Sequence, residues 1–222
     1  MTWKQTLTSP VGRKFVMGFT GLFLIAFLIV HAGLNATIFM NDDGATFNAV
    51  AGFMSHNWIM RILELGLFIG FAFHIVQGLM LWKMNRAARP VKYSMKRYIP
   101  KIKWYSRYMG LLGTLVLLYL VMHLAHFWVH TKDELYFGGS EVNLYERMRD
   151  IFTQPLWFVL YMVGLASLLF HLLHGFQSAF QSLGMNDKAW TPLVKKAGVA
   201  YSVIIVVLFA LMPIAFMAGW LQ

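Results

Sequence analysis

The amino-acid sequence predicts an all-α integral membrane protein with five transmembrane helices. Three observations favour this class: hydrophobic residues make up 59% of the 222 residues, charged residues make up only 13%, and the apolar residues are gathered into five long runs. A soluble domain usually has about 25% charged residues, so most of this chain has no aqueous surface to cover. Because the sequence contains no cysteine, it excludes disulfides, thiol chemistry and cysteine-ligated iron–sulfur clusters in this chain.

Each of the five runs has about the 20 mostly apolar residues that a membrane-spanning helix needs. Tryptophans lie near the ends of several runs, as amphipathic rings prefer at the membrane interface. The predicted helices cover about residues 15–40, 58–82, 105–129, 156–180 and 197–220. The first run is longer than a signal-peptide core and lacks a small-residue cleavage site, so we expect it to be a helix of the protein. A soluble protein with buried helices is the alternative, but five such runs rarely occur together in one.

The connecting segments predict the orientation, because Lys and Arg are enriched on the cytoplasmic side of a membrane protein. The segment before the first helix, the second loop and the fourth loop are basic, whereas the first and third loops hold most of the acidic residues. We therefore predict that the N-terminus is cytoplasmic and the C-terminus is outside. This topology explains the net charge of +10, and we expect no nucleic-acid partner.

The third loop is longer than a simple connection. Its residues Leu144–Phe152 have a helical apolar spacing. This spacing predicts a short amphipathic helix that lies on the outer surface. A solvated connecting helix without a role of its own is the alternative.

Six of the eight histidines lie within or at the edge of the apolar runs. Ionisable residues are costly in a membrane and are candidates for function, although a single histidine can be a hydrogen-bonded packing residue. Here four different helices each place one near mid-membrane, and two neutral imidazoles can fill both axial positions of a haem iron. The six are His31, His74, His123, His126, His171 and His174.

The heights of these residues along their helices predict which of them pair. Counted from the cytoplasmic end at about 1.5 Å per residue, His31 and His123 lie at about 25 and 27 Å. On the same scale His74 and His171 lie at about 15 and 18 Å. We therefore predict an outer pair from helices one and three and an inner pair from helices two and four. Two stacked bis-histidine haems in a bundle of the first four helices require this arrangement.

Two neighbouring histidines leave alternatives open at this point. His174 lies at about 13 Å, so height does not choose between it and His171 on helix four. On helix three, His123 matches the height of His31 better than His126 does.

Short motifs follow one another in a definite order along almost the whole chain. They include Ser9-Pro10-Val11-Gly12-Arg13-Lys14 before the first helix, His74 followed by Gly78, Gly113 ten residues before His123, and Phe170-His171-Leu172-Leu173-His174-Gly175-Phe176 on the fourth helix. In order and spacing they resemble the dihaem cytochrome b membrane subunit of succinate:quinone oxidoreductases and quinol:fumarate reductases, the complex II family. The similarity is to the single-polypeptide type with five spans and two haems.

The resemblance implies two haem b groups, the outer one held by His31 with His123 and the inner one by His74 with His171. It implies a flavoprotein subunit and an iron–sulfur subunit on the cytoplasmic face, quinone as a substrate, and a place in a bacterial cytoplasmic membrane. Menaquinone is the quinone that this branch suggests, and a higher oligomer of the complex is compatible with it. Some dihaem fumarate reductases have a glutamate, linked to proton movement, two residues before the helix-four ligand. This chain has Leu169 there, so that proton route is not carried over.

Glu64 is the only acidic residue inside an apolar run, at a height of about 30 Å, and His126 lies near the same level at about 32 Å. We expect these two residues at the quinone and proton site near the outer haem. The alternative is that Glu64 pairs with Arg61, one turn away. The candidate partners of the inner-haem propionates are Arg13, Lys14, Lys92 and Tyr93.

Two other functions compete with this interpretation. One is a cytochrome b subunit of another respiratory oxidoreductase, such as a formate dehydrogenase or hydrogenase, which usually lacks this one-per-helix order of histidines. The other is a haem-free membrane anchor or transporter whose histidines bind a proton or a metal. Bound haem would distinguish a haem-free anchor or transporter from either kind of cytochrome b.

Overall fold

The computed structural model describes residues 9–40, 42–87, 103–138, 143–185 and 187–221. These described residues are almost entirely helical and contain no strand. Five of their helices are long and apolar enough to cross a membrane. The predicted helical class and the predicted number of membrane-length helices are therefore confirmed.

The principal helices of the described residues are numbered in chain order. They are α1 (Pro10–Asn35), α2 (Ala45–His56), α3 (Trp58–Ala87), α4 (Met109–Gly138), α5 (Leu144–Phe152), α6 (Pro155–Ser182) and α7 (Trp190–Met217). Helix α1 continues as a 3₁₀ helix over Ala36–Met40, and a single helical turn at Trp104–Arg107 precedes α4. The membrane-length helices are α1, α3, α4, α6 and α7.

Helices α1 and α7 begin before the apolar runs that predict them. The Ser9 side chain accepts a hydrogen bond from the amide of Gly12 at 3.0 Å, and Pro10 occupies the first helical position. Before α7, the Asp187 carboxylate accepts a hydrogen bond from the amide of Trp190 at 2.8 Å. Side-chain acceptors of this kind satisfy the amides that a helix start leaves unpaired. The capping residues, and not the hydropathy, therefore decide where these helices start.

Helix α4 is irregular in a way that the sequence pattern does not predict. Its first part, Met109–His123, is a regular α-helix, but Leu124–Val129 and Glu134–Gly138 are π-helical. A π-helical turn is wider than an α-turn, so it changes the directions of the side chains beyond it. The helix also extends nine residues past its predicted end at residue 129.

The turn before α2 is stabilised by a side-chain acceptor. The Asp42 carboxylate accepts a hydrogen bond from the amide of Thr46 at 2.9 Å and a second from the Thr46 hydroxyl. These two bonds favour the ionised form and hold the pKa of Asp42 below its ordinary value. Helix α2 itself was not predicted, because 12 residues of mixed composition do not form a spanning run.

Helices α2 and α5 meet at one end of the bundle. The Asn48 amide donates to the Asn143 side chain at 2.9 Å, and its oxygen accepts from the Tyr145 amide at 3.1 Å. Gly44 has a φ of 79° and lies directly against the Tyr145 ring, so both its conformation and the space require glycine. The first and third loops therefore lie at the same end, as loops on one side of a membrane must.

The apolar side of α5 is buried in the protein. Tyr145, Met148, Ile151 and Phe152 are between 3% and 5% exposed. They form one cluster with residues of α2, α6 and α7, including Phe216. The helix predicted over residues 144–152 is thus present, and its apolar side packs against the protein itself.

Gly164 allows α6 to lie against the Tyr119 ring of α4, and a Cβ at position 164 would overlap that ring. Tyr119 in turn stacks on His123, with 5.9 Å between ring centroids. We expect Gly164→Ala to destabilise the folded protein by about 1–3 kcal/mol, because a methyl group added to a filled contact displaces its neighbour. Thermal unfolding in detergent measures the change. Gly66→Ala is the matched control, since a Cβ there meets nothing within 4 Å. Equal stability of the two variants would contradict the contact.

Candidate functional site

The structure brings four histidines from four membrane-length helices together in two pairs. The imidazole of His31 on α1 lies 5.8 Å from that of His123 on α4, measured between ring centroids. The imidazole of His74 on α3 lies 6.2 Å from that of His171 on α6. The first is the outer pair that the heights along the helices predict, and the second is the inner pair that the family resemblance implies, since height left His171 and His174 open.

The ring separations match two imidazoles that bind one metal ion from opposite sides. Metal–imidazole bonds are about 2 Å long, so the centroids of two such rings lie about 6 Å apart. Two aromatic rings in direct edge-to-face contact fall in the same range. Distance alone is therefore compatible with a bis-histidine site, and the surroundings of the rings have to distinguish the two cases.

The surroundings of the rings fit a bound metal cofactor in two respects. Nδ1 of His123 and Nδ1 of His171 are buried and make no hydrogen bond to any described residue. Most buried polar atoms do have such a partner. In addition, all four paired histidines are only half-buried although they face other helices, so part of the ring surface is left for another group.

A hydroxyl group orients the inner imidazole on α3. The Thr20 hydroxyl donates to the Val16 carbonyl at 2.8 Å, so its lone pairs are free to accept from Nδ1 of His74 at 3.3 Å. A proton on Nδ1 leaves Nε2 unprotonated, which is the form that binds a metal. On the outer level, the Asn35 amide lies 3.4 Å from Nδ1 of His31.

Glycines lie beside the inner pair. A Cβ at Gly21 of α1 would come to 3.7 Å from the His74 ring, and one at Gly113 of α4 would come to 3.8 Å from the His171 ring. Any larger residue at either position would occupy space next to an imidazole. Thr20, beside Gly21, marks the inner level on α1, and His31 lies 11 residues later, which is about 16 Å along the helix. The two pairs are thus stacked along the bundle.

The two remaining membrane histidines have partners of their own. Nδ1 of His174 lies 2.9 Å from the Ser106 hydroxyl, at the start of the α4 region. Nδ1 of His126 lies 3.1 Å from the hydroxyl of Tyr161. His123 thus faces His31 of α1, and His171 faces His74 of α3. Their neighbours His126 and His174 contact hydroxyl groups instead.

A cluster of polar and aromatic groups connects the outer pair to α5. The Tyr161 ring, which is 2% exposed, lies 6.4 Å from the His123 ring and stacks on the His126 ring at 5.9 Å. The Trp157 ring lies 4.6 Å from that of His126, and Arg147 donates to the His126 carbonyl at 3.1 Å. Sequence reasoning missed Tyr161 and Arg147, because they come from α6 and α5 and approach His126 only through tertiary packing.

Glu64 is ion-paired, but not with the residue considered from the sequence. Its carboxylate accepts from Lys132 at 2.8 Å and from the Trp128 indole at 2.5 Å, both on α4. The guanidinium of Arg61 lies over the Tyr136 ring instead, at 5.8 Å. The structure therefore contradicts the ion pair between Glu64 and Arg61 that was the alternative.

Glu64 and His126 have separate sets of partners. Glu64 contacts Lys132 and Trp128, whereas His126 contacts Tyr161 and Trp157. Trp128 and His126 both lie in the first π-helical segment of α4. No contact among the described residues joins Glu64 to His126, so the common site expected for them stays a prediction.

The candidate propionate partners are only partly described. Arg13 lies in the first turn of α1, about 10 Å below Thr20, and its guanidinium contacts the Met84 sulfur at 3.1 Å. Lys14 is exposed beside it. Lys92 and Tyr93 lie outside the described residues.

Among the described residues, no group of three or more histidine, cysteine or acidic side chains is placed to hold a metal ion directly. The two-imidazole arrangement is the metal-binding candidate that this part of the chain offers. No protein-family model matches the chain, and no match is found among curated proteins or solved structures. The functional assignment therefore depends on the site geometry and on the sequence motifs.

Proposed function

We propose that this chain is the dihaem cytochrome b membrane anchor of a succinate:quinone oxidoreductase or quinol:fumarate reductase of the complex II family. One observation supports this function best. Four histidines from four membrane-length helices form two pairs, with centroid separations of 5.8 and 6.2 Å, at two levels of one bundle. Histidines that serve only in packing would not be expected to occur once on each of four helices and to face one another in pairs.

In this proposal His31 and His123 hold the outer haem b, and His74 and His171 hold the inner one. When bound, the two haems supply one-electron transfer between the iron–sulfur subunit and quinone. The chain's own groups orient the ligands: Thr20 fixes the proton of one inner imidazole on Nδ1, away from the metal. Arg13 and Lys14 lie at the end where the inner propionates would point.

The inner end is the cytoplasmic one in this proposal, and the partner subunits bind there. The basic second and fourth loops favour that orientation, which places the N-terminus inside and the C-terminus outside. The packing of α2 against α5 is consistent with it, because both acidic loops lie at the opposite end. A bacterial cytoplasmic membrane is the setting that follows.

Quinone, with menaquinone the proposed type, reacts near the outer pair. Two clusters there can exchange protons with it. In one, the Glu64 carboxylate is held by Lys132 and Trp128. In the other, His126 and Tyr161 connect the His123 ring to α5. Carboxylate and imidazole groups are the usual carriers of protons at redox sites.

The Thr20 contact leads to a prediction specific to the inner haem. We expect Thr20→Val to lower the affinity for that haem by roughly 10–100-fold, because loss of a second partner weakens a histidine ligand by about this much. Thr20→Ser, which keeps the acceptor, is expected to bind haem as the parent does. Haem transfer to an apoprotein acceptor, followed spectroscopically, measures the loss. Release of the outer haem at the same increased rate would contradict a local role for Thr20.

Membership of the complex can be tested independently of the haems. We expect the chain, purified from its native membrane under mild conditions, to copurify with one flavin-containing and one iron–sulfur-containing subunit. The complex should oxidise succinate with a water-soluble quinone analogue as acceptor. Copurification with a formate dehydrogenase or a hydrogenase would contradict the proposal in favour of another respiratory cytochrome b.

A further inference from the structure

A cavity with polar and apolar walls lies between α6, α7 and the turn before α4, and His174, one helical turn from His171, lines it together with its partner Ser106. Its volume is about 450 Å³. It is at the end of the bundle where α6 finishes and α7 begins. Its lining includes Lys103, before α4, Lys195 on α7, and Gln177, Ser178 and Gln181 of α6.

The charge of the cavity favours an anion. Two lysines from separate parts of the chain line it, and no acidic residue is among its described lining residues. The amide and hydroxyl groups of Gln177 and Ser178 add neutral donors to the same lining. Ammonium groups together with such donors are suited to the oxygens of a phosphate group.

The cavity reaches the surface of the bundle, and none of the four paired histidines is among its described lining residues. Ala179 packs against Gly21 of α1 and lies about 200° around α6 from Gln177. His171 is about 120° around α6 from Gln177. Lys103, Lys195 and Val199 are exposed, so the mouth of the cavity is at the surface of the bundle.

The walls of the cavity combine polar and apolar groups. Leu173 of α6 and Val199 of α7 are the lining residues furthest from the end where α6 finishes, while Lys103 and Gln181 lie near that end. A ligand that fits both parts has an anionic head and a hydrocarbon tail. Basic pockets between membrane helices bind anionic lipid headgroups in this manner, and the cytoplasmic leaflet is rich in such lipids.

We infer that this cavity binds the phosphate of an anionic phospholipid at the membrane interface. The site depends on membrane insertion but not on haem or quinone, so it goes beyond the proposed function. A soluble phosphate presents the same oxygens without a tail, and a carboxylate of the inner haem would point towards the same end of the bundle. The experiment has to distinguish these two from a lipid.

The test compares the full chain with two charge-matched double variants in detergent. Lys103→Gln with Lys195→Gln removes both cavity charges. Lys188→Gln with Lys196→Gln removes two exposed charges near the same end that do not line the cavity. Phosphatidylglycerol, phosphatidylcholine and inorganic phosphate are added separately, and thermal unfolding and native mass spectrometry are recorded.

We expect phosphatidylglycerol to raise the melting temperature of the parent and of the control variant by about 2–4 °C, with one lipid retained per chain. The cavity variant should show neither effect, and phosphatidylcholine should stabilise all three proteins equally little. Equal retention of phosphatidylglycerol by the cavity variant would overturn the inference. So would equal stabilisation by inorganic phosphate, or a cavity variant that loses haem and keeps the lipid.

Discussion

Replacing His123 by alanine is expected to halve the haem content of the protein, leaving about one b-type haem per chain. A haem iron that loses one of two axial imidazoles in a membrane bundle loses the bond that fixes its position. The same loss is expected for His31→Ala, because its ring faces that of His123 at 5.8 Å. His74→Ala and His171→Ala should each remove the other haem, since their rings are 6.2 Å apart. Haem extraction and the reduced-minus-oxidised spectrum measure the content and identify which haem remains.

Double variants test the pairing more sharply than single ones. Because His31 and His123 act on one haem, the double variant should retain as much haem as either single variant. A variant that combines His123→Ala with His171→Ala should retain none. A double variant of His31 and His123 that loses both haems would contradict the assignment of these residues to a single site.

The neighbouring histidines provide the matched controls. His126 and His174 lie on the same helices as the proposed ligands, one turn away, and contact Tyr161 and Ser106. Their alanine variants should keep both haems, as should His56→Ala in α2. If His174→Ala removed the inner haem while His171→Ala kept it, the assignment of His171 as the ligand on α6 would be wrong.

The second large effect is expected for Glu64→Gln, which should lower quinone-dependent turnover by roughly 100-fold while both haems are retained. Glutamine keeps the shape of the side chain and can still contact Trp128. It cannot take up or release a proton at physiological pH, so the proton exchange with quinone would lose its carboxylate. Turnover with a quinone analogue, measured beside haem content and haem reduction by succinate, identifies the impaired step.

Loss of the ion pair alone has to be separated from loss of the proton carrier. Lys132→Gln breaks the same pair, whose N···O distance is 2.8 Å, and leaves the carboxylate in place. We expect this variant to keep most of the turnover. Glu146→Gln on α5, where Glu146 pairs with Arg149, controls for a general change of outer charge. Full quinone activity of Glu64→Gln, with both haems present, would remove Glu64 from the mechanism.

The membrane-length helices can be predicted from the sequence because a spanning helix needs a long apolar run whatever surrounds it. Their ends cannot be predicted in the same way. Ser9 and Asp187 start α1 and α7 earlier through local hydrogen bonds. Hydropathy does not report such capping. Helix α2 was missed because it is short and is held in place by tertiary contacts, among them those with α5.

The two levels of the histidines were predictable because helical rise is fixed, so height follows from residue number, but height did not choose between His171 and His174 on α6. Direction around the helix is not fixed when π-helical turns intervene. Leu124–Val129 of α4 is such a segment, and it contains His126, which contacts Tyr161, and Trp128, which contacts Glu64. The sequence spacing of Glu64 and Arg61 suggested a pair on one helix, but Lys132 from α4 is the partner. Partners from other helices depend on packing, which one sequence does not specify.

The most direct test is the haem content of the intact chain in its complex, measured by extraction together with a reduced-minus-oxidised spectrum. The proposal predicts two b-type haems per chain, both reducible, in the parent protein. A protein that contains no haem when isolated intact from its native membrane would contradict it. The two histidine pairs would then be packing contacts or proton-binding groups of a haem-free anchor or transporter.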